Sequence, residues 1–238
     1  MQGMGLRRRT TIAVLATVAL STALIAGCSK SSNQGTQNLP DAATLLKQSA
    51  QAMRDVKSAH LELTVQGKIE RLPLKTLSGD LTNVPAVAAK GHTKVTMGGD
   101  DVDADFVVLD GTLYGALDPN TWNNFGPASN LYDVSLILNP DTGLANILSN
   151  FADPKATGRE TINGVQTVKI TGQVSADTVN KVAPKIATTG NVSTTVWIEE
   201  NGNHDLVQIT LEPSSGNSLQ MTLSKWNEPV SVEKPPGV

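Results

Sequence analysis

One cysteine stands in the 238 residues, Cys28, and it closes the run Leu24-Ile25-Ala26-Gly27-Cys28. Aliphatic residues, two small ones and then cysteine form a lipobox. Its chemistry is alkylation of the thiol by a diacylglyceryl group, cleavage of the chain before the cysteine, and acylation of the new amino terminus. A single cysteine also excludes an intramolecular disulfide. With Cys28 given to lipid, nucleophilic catalysis would need a serine or threonine beside a base. No Gly-x-Ser-x-Gly elbow is present. The three histidines are His60, His92 and His204. The first begins a strand pattern, the second adjoins a glycine and the third sits in a turn, so each reads as a solvated polar residue. None has a zinc spacing. Asp101, Asp103 and Asp105 resemble the first ligands of a calcium loop. The sixth and twelfth places, which need Gly and Glu, hold Phe106 and Thr112. On an alternating strand these carboxylates line one solvent face. No glycine-rich phosphate loop occurs. The expectation is a protein that is not an enzyme, with no cofactor and no metal site.

The residues before Cys28 explain how its chemistry would be reached. Residues 1–27 have a basic start at Arg7-Arg8-Arg9, an apolar stretch over residues 12–26, and small residues before the cysteine, the three parts of a secretory signal. The apolar run is shorter than the ~20 residues of a membrane span, and Thr17, Ser21 and Thr22 interrupt it. Either of two export routes fits the arginines. Residues 29–38 are polar and small, a composition that makes a flexible tether. The expected organisation is a signal peptide at 1–27, a tether at 28–39, one folded domain at 40–228 and an extended, loosely ordered tail at 229–238 rich in proline. The anchored chain would sit on the periplasmic side of the inner membrane. Two acyl chains, at ~0.8 kcal/mol per buried methylene, hold far more firmly than one.

Composition narrows the partners. The net charge is −3, which indicates no nucleic-acid partner. Charged residues are 17% of the chain, below the usual ~25%, as suits an exported protein. Aromatic residues are only 3%, so aliphatic and small side chains must line the interior and leave room for a cavity.

The elements follow from periodicity. Asp41 can cap a helix whose Leu45, Leu46, Ser49, Met53 and Val56 share a face. Strand patterns run over 60–66, 75–82, 90–97, 101–109 and 113–117, with turns at Gly98-Gly99-Asp100 and Asp110-Gly111. Residues 118–131 read as a loop, 133–138 as a short helical piece and 141–151 as a helix. Strands return at 157–162 and 165–174 around Asn163-Gly164. A helix follows over 175–183, then strands at 192–200, 206–212 and 218–226. About ten strands joined by hairpins and roughly four helices in separate groups make an α+β protein: a large curved antiparallel sheet with helices over its concave side. Thr93, Val95, Met97, Val102, Ala104 and Phe106 share one face of that sheet. The pattern fits either an ordinary packed core or the wall of an apolar cavity.

Five segments carry a resemblance: Leu77-Ser78-Gly79-Asp80-Leu81-Thr82, Asp103-Ala104-Asp105-Phe106-Val107-Val108, Phe125-Gly126-Pro127-Ala128, Leu138-Asn139-Pro140-Asp141-Thr142-Gly143-Leu144-Ala145-Asn146 and Gln220-Met221-Thr222-Leu223-Ser224-Lys225-Trp226. In these the chain resembles the LppX/LprAFG lipoproteins of mycobacteria, from the lipobox to the final strand. The resemblance implies a half-barrel-like sheet with helices around an apolar cavity lined by the six residues above. A cavity-facing aliphatic position of the family falls at Thr93, which departs from it while staying β-branched. It further implies binding of triacylated glycolipids (phosphatidylinositol mannosides, lipomannan, lipoarabinomannan) and of triacylglycerol. A major-facilitator efflux pump is the implied partner for transfer toward the outer envelope. Host Toll-like receptor 2 is the implied sensor of the acylated Cys28 and its cargo. The implied locations are the lipid-anchored inner membrane, the cell wall and a secreted fraction. A second reading is a scaffolding lipoprotein that supports the pump by contact and needs no cavity.

Overall fold

A computed structural model of the chain describes residues 38–118 and 121–238. The signal segment and Cys28 lie outside the described residues. Eleven strands form one antiparallel sheet, curved and unclosed, in the order β6-β5-β4-β3-β2-β1-β11-β10-β9-β8-β7. The chain lays down the first half from the middle outward: β1 (Ser58–Gln66), β2 (Leu74–Thr82), β3 (Ala88–Met97), β4 (Asp100–Leu109), β5 (Thr112–Ala116) and β6 (Trp122–Pro127). It then crosses to the far edge and returns through β7 (Phe151–Ile162), β8 (Val165–Val174), β9 (Val192–Glu199), β10 (Leu206–Ser214) and β11 (Asn217–Ser224). The two meanders join where β11 pairs with β1, with Leu61 opposite Leu223 and Leu63 opposite Met221.

Local chemistry sets the turns. Asp110 (φ 51°) with Gly111 (φ 73°), and Asn163 (φ 48°) with Gly164 (φ 85°), adopt the left-handed pairs that a two-residue hairpin requires. The edges are blunted as exposed edges must be. On β7, Asp153 and Pro154 fall at one break in register, and a second follows between Ala156 and Gly158. On the other edge β6 ends at Pro127.

Three helices lie on one side of the sheet. The first, α1 (Ala42–Asp55), starts where Asp41 accepts a hydrogen bond from Thr44 N at 2.8 Å. Leu45, Leu46, Ser49, Met53 and Val56 are all buried, as their spacing predicts. The helix α3 (Ala176–Val182) is capped by Ser175. The middle segment differs from its sequence reading. Helix α2 covers only Leu144–Ser149, with Gly143 at its N-cap, and Phe151 already opens β7. Val134–Leu136 forms a 3-10 turn. Strand β6 lies inside the stretch read as a loop, because Asn123, Asn124 and Gly126 carry no strand pattern and only pairing with β5 organises them. The helices and the inward side chains of β8 to β11 and β1 make one apolar core. No helix among the described residues is long and apolar enough to cross a membrane.

The tail after β11 is extended but fastened to the outer face of the sheet, unlike the loose segment its prolines suggest. Ser58 Oγ donates to Glu228 O at 2.6 Å, and Lys90 Nζ donates to Ser231 O at 2.8 Å. Lys234 Nζ sits 5.8 Å from the Tyr114 ring centroid. Val107 and Tyr114 supply an apolar landing strip on that otherwise polar face, and Pro235 is buried with them.

Candidate functional site

The register of β1 to β5 decides what faces inward. Leu63, Leu77, Thr93 and Ala104 stand opposite one another in one row. Val95 stands opposite Val102 in the next. On the other side runs Leu61, Gly79, Gly91, Phe106 and Gly115. All six residues singled out from the sequence therefore lie on one face, the one that continues into the helix-covered core. Met97 is at its end, beside the β3–β4 turn.

The glycine row makes this face a trough. A Cβ on Gly91 would run into Ser78 O and come within 2.6 Å of Gly79 Cα, so β2 and β3 touch there backbone to backbone. The Phe106 ring covers Gly79, at 3.1 Å from where its Cβ would be, and Phe125 covers Gly115 at 2.9 Å. Thr93 Oγ1 donates to Thr76 O at 2.9 Å, which satisfies its hydroxyl within the sheet. The departure from an aliphatic residue thus adds no unpaired polar group to the face.

Cover is uneven. Val168, Ile170, Val196, Ile198, Ile209 and Leu211, beneath the helices, are fully buried. Leu63, Leu77, Thr93, Val95, Val102, Ala104 and Phe106 are only half-buried. Met97 is 52% exposed, Leu117 50% and Phe125 55%. Phe125 belongs to the same face through its approach to Gly115, and Leu117 follows directly after β5. The sheet therefore offers a continuous apolar surface whose β3–β6 part is open. Sequence reading missed Phe125 because it falls in the stretch without strand pattern, and Leu63 and Leu77 because only the pairing reveals their row. Two grooves lie near but outside this surface, and neither is lined by any of the six residues. One, of about 260 Å³, runs along Val87, Val108, Ala128 and Val134. The other, of about 420 Å³, lies between α1 and α2 and includes Leu46, Ala50, Leu148 and Phe151.

The histidine and Glu160 clusters lie on the opposite face. His92 lies 3.0 Å from Asp105 and 3.4 Å from Asp103, and the Asp105 hydrogen bond raises its pKa above the ordinary 6.5. Glu160 accepts from Lys169 Nζ at 3.0 Å and from Trp197 Nε1 at 2.8 Å, and these bonds, the lysine's first, lower its pKa. His60 has an arrangement not legible in the sequence: its Nδ1 is 2.6 Å from Asp80 Oδ1 and its Nε2 is 3.3 Å from Ser78 Oγ. The order matches a serine–histidine–carboxylate relay. What acyl transfer further needs is a pair of free N–H donors for the oxyanion and a cleft to hold the ester. Ser78 lies on β2, an interior strand whose amides are committed to β1 and β3. The relay is a cross-strand polar cluster. Among the described residues no three His, Cys, Asp or Glu side chains come together to hold a metal ion.

An antiparallel sheet that curls without closing, with helices over part of an apolar inner face, is the fold of a class of lipoproteins. Residues 41–232 match the model of the LppX_LprAFG lipoprotein family, and the chain belongs to that family. It is 56% identical over 225 residues to the lipoarabinomannan carrier protein LprG of Mycobacterium tuberculosis strain H37Rv, covering 94% of this chain and 95% of that one. The Mycobacterium leprae protein of the same name is 54% identical over 228 residues, covering 95% and 96%. Among solved structures, LprF from Mycobacterium bovis superposes with a TM-score of 0.77 at 28% identity, over 85% of this chain and 100% of LprF. LppX from M. tuberculosis gives 0.63 at 30%, over 81% and 98%.

Proposed function

We propose that this chain is a carrier of acylated glycolipids of the lipoarabinomannan type, lodging their acyl chains against the inner face of β1 to β6. The observation that carries the reading is the half-exposed apolar trough, walled by Thr93, Val95, Met97, Val102, Ala104 and Phe106, with Asp100 opposite Met97 at its end. The name of its relatives supports the choice of cargo. A lipid with three acyl chains exposes dozens of methylenes, and at ~0.8 kcal/mol each its unshielded passage through water costs tens of kcal/mol. A carrier must cover the tails together and leave the sugars in water. A wide aliphatic surface does this and needs no catalytic group. On this reading Cys28 is the lipidated residue and keeps the domain beside the inner membrane, on its periplasmic side. Phosphatidylinositol mannosides, lipomannan and triacylglycerol are further cargoes, an efflux pump is the partner in transfer, and Toll-like receptor 2 senses the acylated protein. Those extensions are supported by family resemblance.

Native mass spectrometry of the chain from residue 28 onward, purified under mild conditions from a mycobacterial host, tests the proposal. Carried lipid appears as a mass increment of one acylated glycolipid per chain. A protein that leaves the cell lipid-free is a scaffold instead.

A further inference from the structure

The pairing of the strands assigns an end to the domain. The start of the described chain is held there: Arg159, which also grips Glu200 at 2.6–2.9 Å, donates to Asn38 O at 3.1 Å. Arg159 is three residues from the end of β7 at Ile162 and eight from its start at Phe151, about 10 Å and about 27 Å along a strand. Nine residues lie between Cys28 and Asn38, and the ten Cα–Cα steps span at most ~36 Å. An anchor at Cys28 therefore reaches the near end using roughly a quarter of that span and the far end only using roughly three quarters of it. By the antiparallel register, the near end also holds the β2–β3 loop, the β4–β5 turn and the exit of β6.

Two large apolar side chains stand exposed at that end, Val84 and Leu131, each at 51%. Neither is on a loose tip. Val84 N donates to Thr82 Oγ1 at 3.1 Å, and Val84 O accepts from the same hydroxyl at 2.9 Å. Leu131 N donates to Ala128 O at 3.0 Å. Lys185 Nζ, 3.5 Å from Asn130 O, places an ammonium beside Leu131. Val87, three residues after Val84, and Ala128, three before Leu131, line the groove of about 260 Å³ together with Val134, Ser129, Ser135 and Asp133. Its floor is Val108, a member of the buried inner layer.

We propose that this end of the sheet is a bilayer-contacting surface: Val84 and Leu131 insert at the membrane interface, and the neighbouring groove meets the buried core at Val108. The occupant is a phospholipid bilayer, identified by two exposed apolar side chains at one end of the sheet, a cation beside Leu131 and the short span of chain between Cys28 and Asn38. The proposal rests on the reading of Cys28 as the anchored residue and of the inner face as a lipid site. Insertion of such side chains goes about 5–10 Å into the headgroup–acyl boundary.

The test uses the chain from residue 28 onward, coupled through its only cysteine to vesicles of phosphatidylcholine, phosphatidylglycerol and a maleimide lipid, with shallow-brominated phosphatidylcholine as quencher. Val84→Trp and Leu131→Trp are compared with Met97→Trp and Leu117→Trp at the far end, after subtracting the emission of the unsubstituted chain. The expected result is quenching of the added tryptophan at 84 and 131 at least about twofold above that at 97 and 117, the shallow quencher lying at the insertion depth. Val84→Asp combined with Leu131→Trp should lose that quenching, which guards against a misfolded single variant. Equal quenching at all four positions, stronger quenching at 97 and 117, or none at any position overturns the proposal. Uptake of a fluorescent acylated lipid by the same chains in solution is read separately: if uptake fails while positions 84 and 131 are quenched, the carrier reading falls and the bilayer contact stands.

Discussion

The polar residues most suggestive of chemistry stand on the outer face of the sheet. Ser78, His60 and Asp80 form a relay by distance, on the two interior strands β1 and β2 whose amides pair with neighbouring strands. The chain should therefore hydrolyse a nitrophenyl ester no faster than its Ser78→Ala variant. A rate lost with that substitution would make the relay catalytic. Glu160 has a structural role with a defined pH dependence. Its carboxyl is held below the ordinary 4.5 by Lys169 and by the Trp197 indole. A carboxylate with a depressed folded pKa adds stability that is present above its unfolded pKa and is lost as pH falls through the folded value. Denaturant titrations should show wild type more stable than Glu160→Gln above pH 4.5, with the difference shrinking progressively as pH falls below it. A pH-independent difference would assign the effect to packing.

At the scale of elements, the tight approach of β2 and β3 is the feature the inner face depends on. Gly91→Ala forces a methyl into Ser78 O and the Gly79 backbone, and overpacking of this kind costs about 1–3 kcal/mol. Gly158→Ala on β7 meets nothing within 4 Å and should change stability by less than about 0.5 kcal/mol. Chemical denaturation of the two variants checks this, and equal losses would show that the approach is not tight. The hairpins were legible in the sequence because Asp110-Gly111 and Asn163-Gly164 announce their turns and apolar residues alternate on both sides. Helix α1 was legible from Asp41 and its apolar spacing. Strand β6 was not, since Asn123, Asn124 and Gly126 are strand residues only by virtue of β5. The short reach of α2 was hidden too. Asp141 looks like a cap, but Asn139 Oδ1 accepts from Asp141 N at 2.9 Å and from Thr142 N at 3.0 Å, and this turn delays the helix to Leu144. The six inner-face residues could be aligned by alternation alone. Their degree of cover could not, because that depends on where the helices stop.

For the whole molecule, the carrier reading rests on the division between a helix-covered half and an open half. The covered strands hold the domain together without any disulfide. The open strands keep apolar side chains half in solvent, an arrangement worth keeping only if something apolar comes to cover it. The tail strapped across the outer face stiffens the open half from behind, through Lys90 and Tyr114 on β3 and β5. The measurement that bears most directly on the carrier reading is extraction of radiolabelled phosphatidylinositol mannosides from vesicles by the delipidated, non-acylated domain, set beside its Val95→Trp variant. Wild type should remove lipid in proportion to protein, and Val95→Trp, with its indole filling the trough, should remove at least about tenfold less while melting within a few degrees of wild type. Equal extraction by a folded Val95→Trp would contradict the account, because the acyl chains would then be held somewhere other than the inner face.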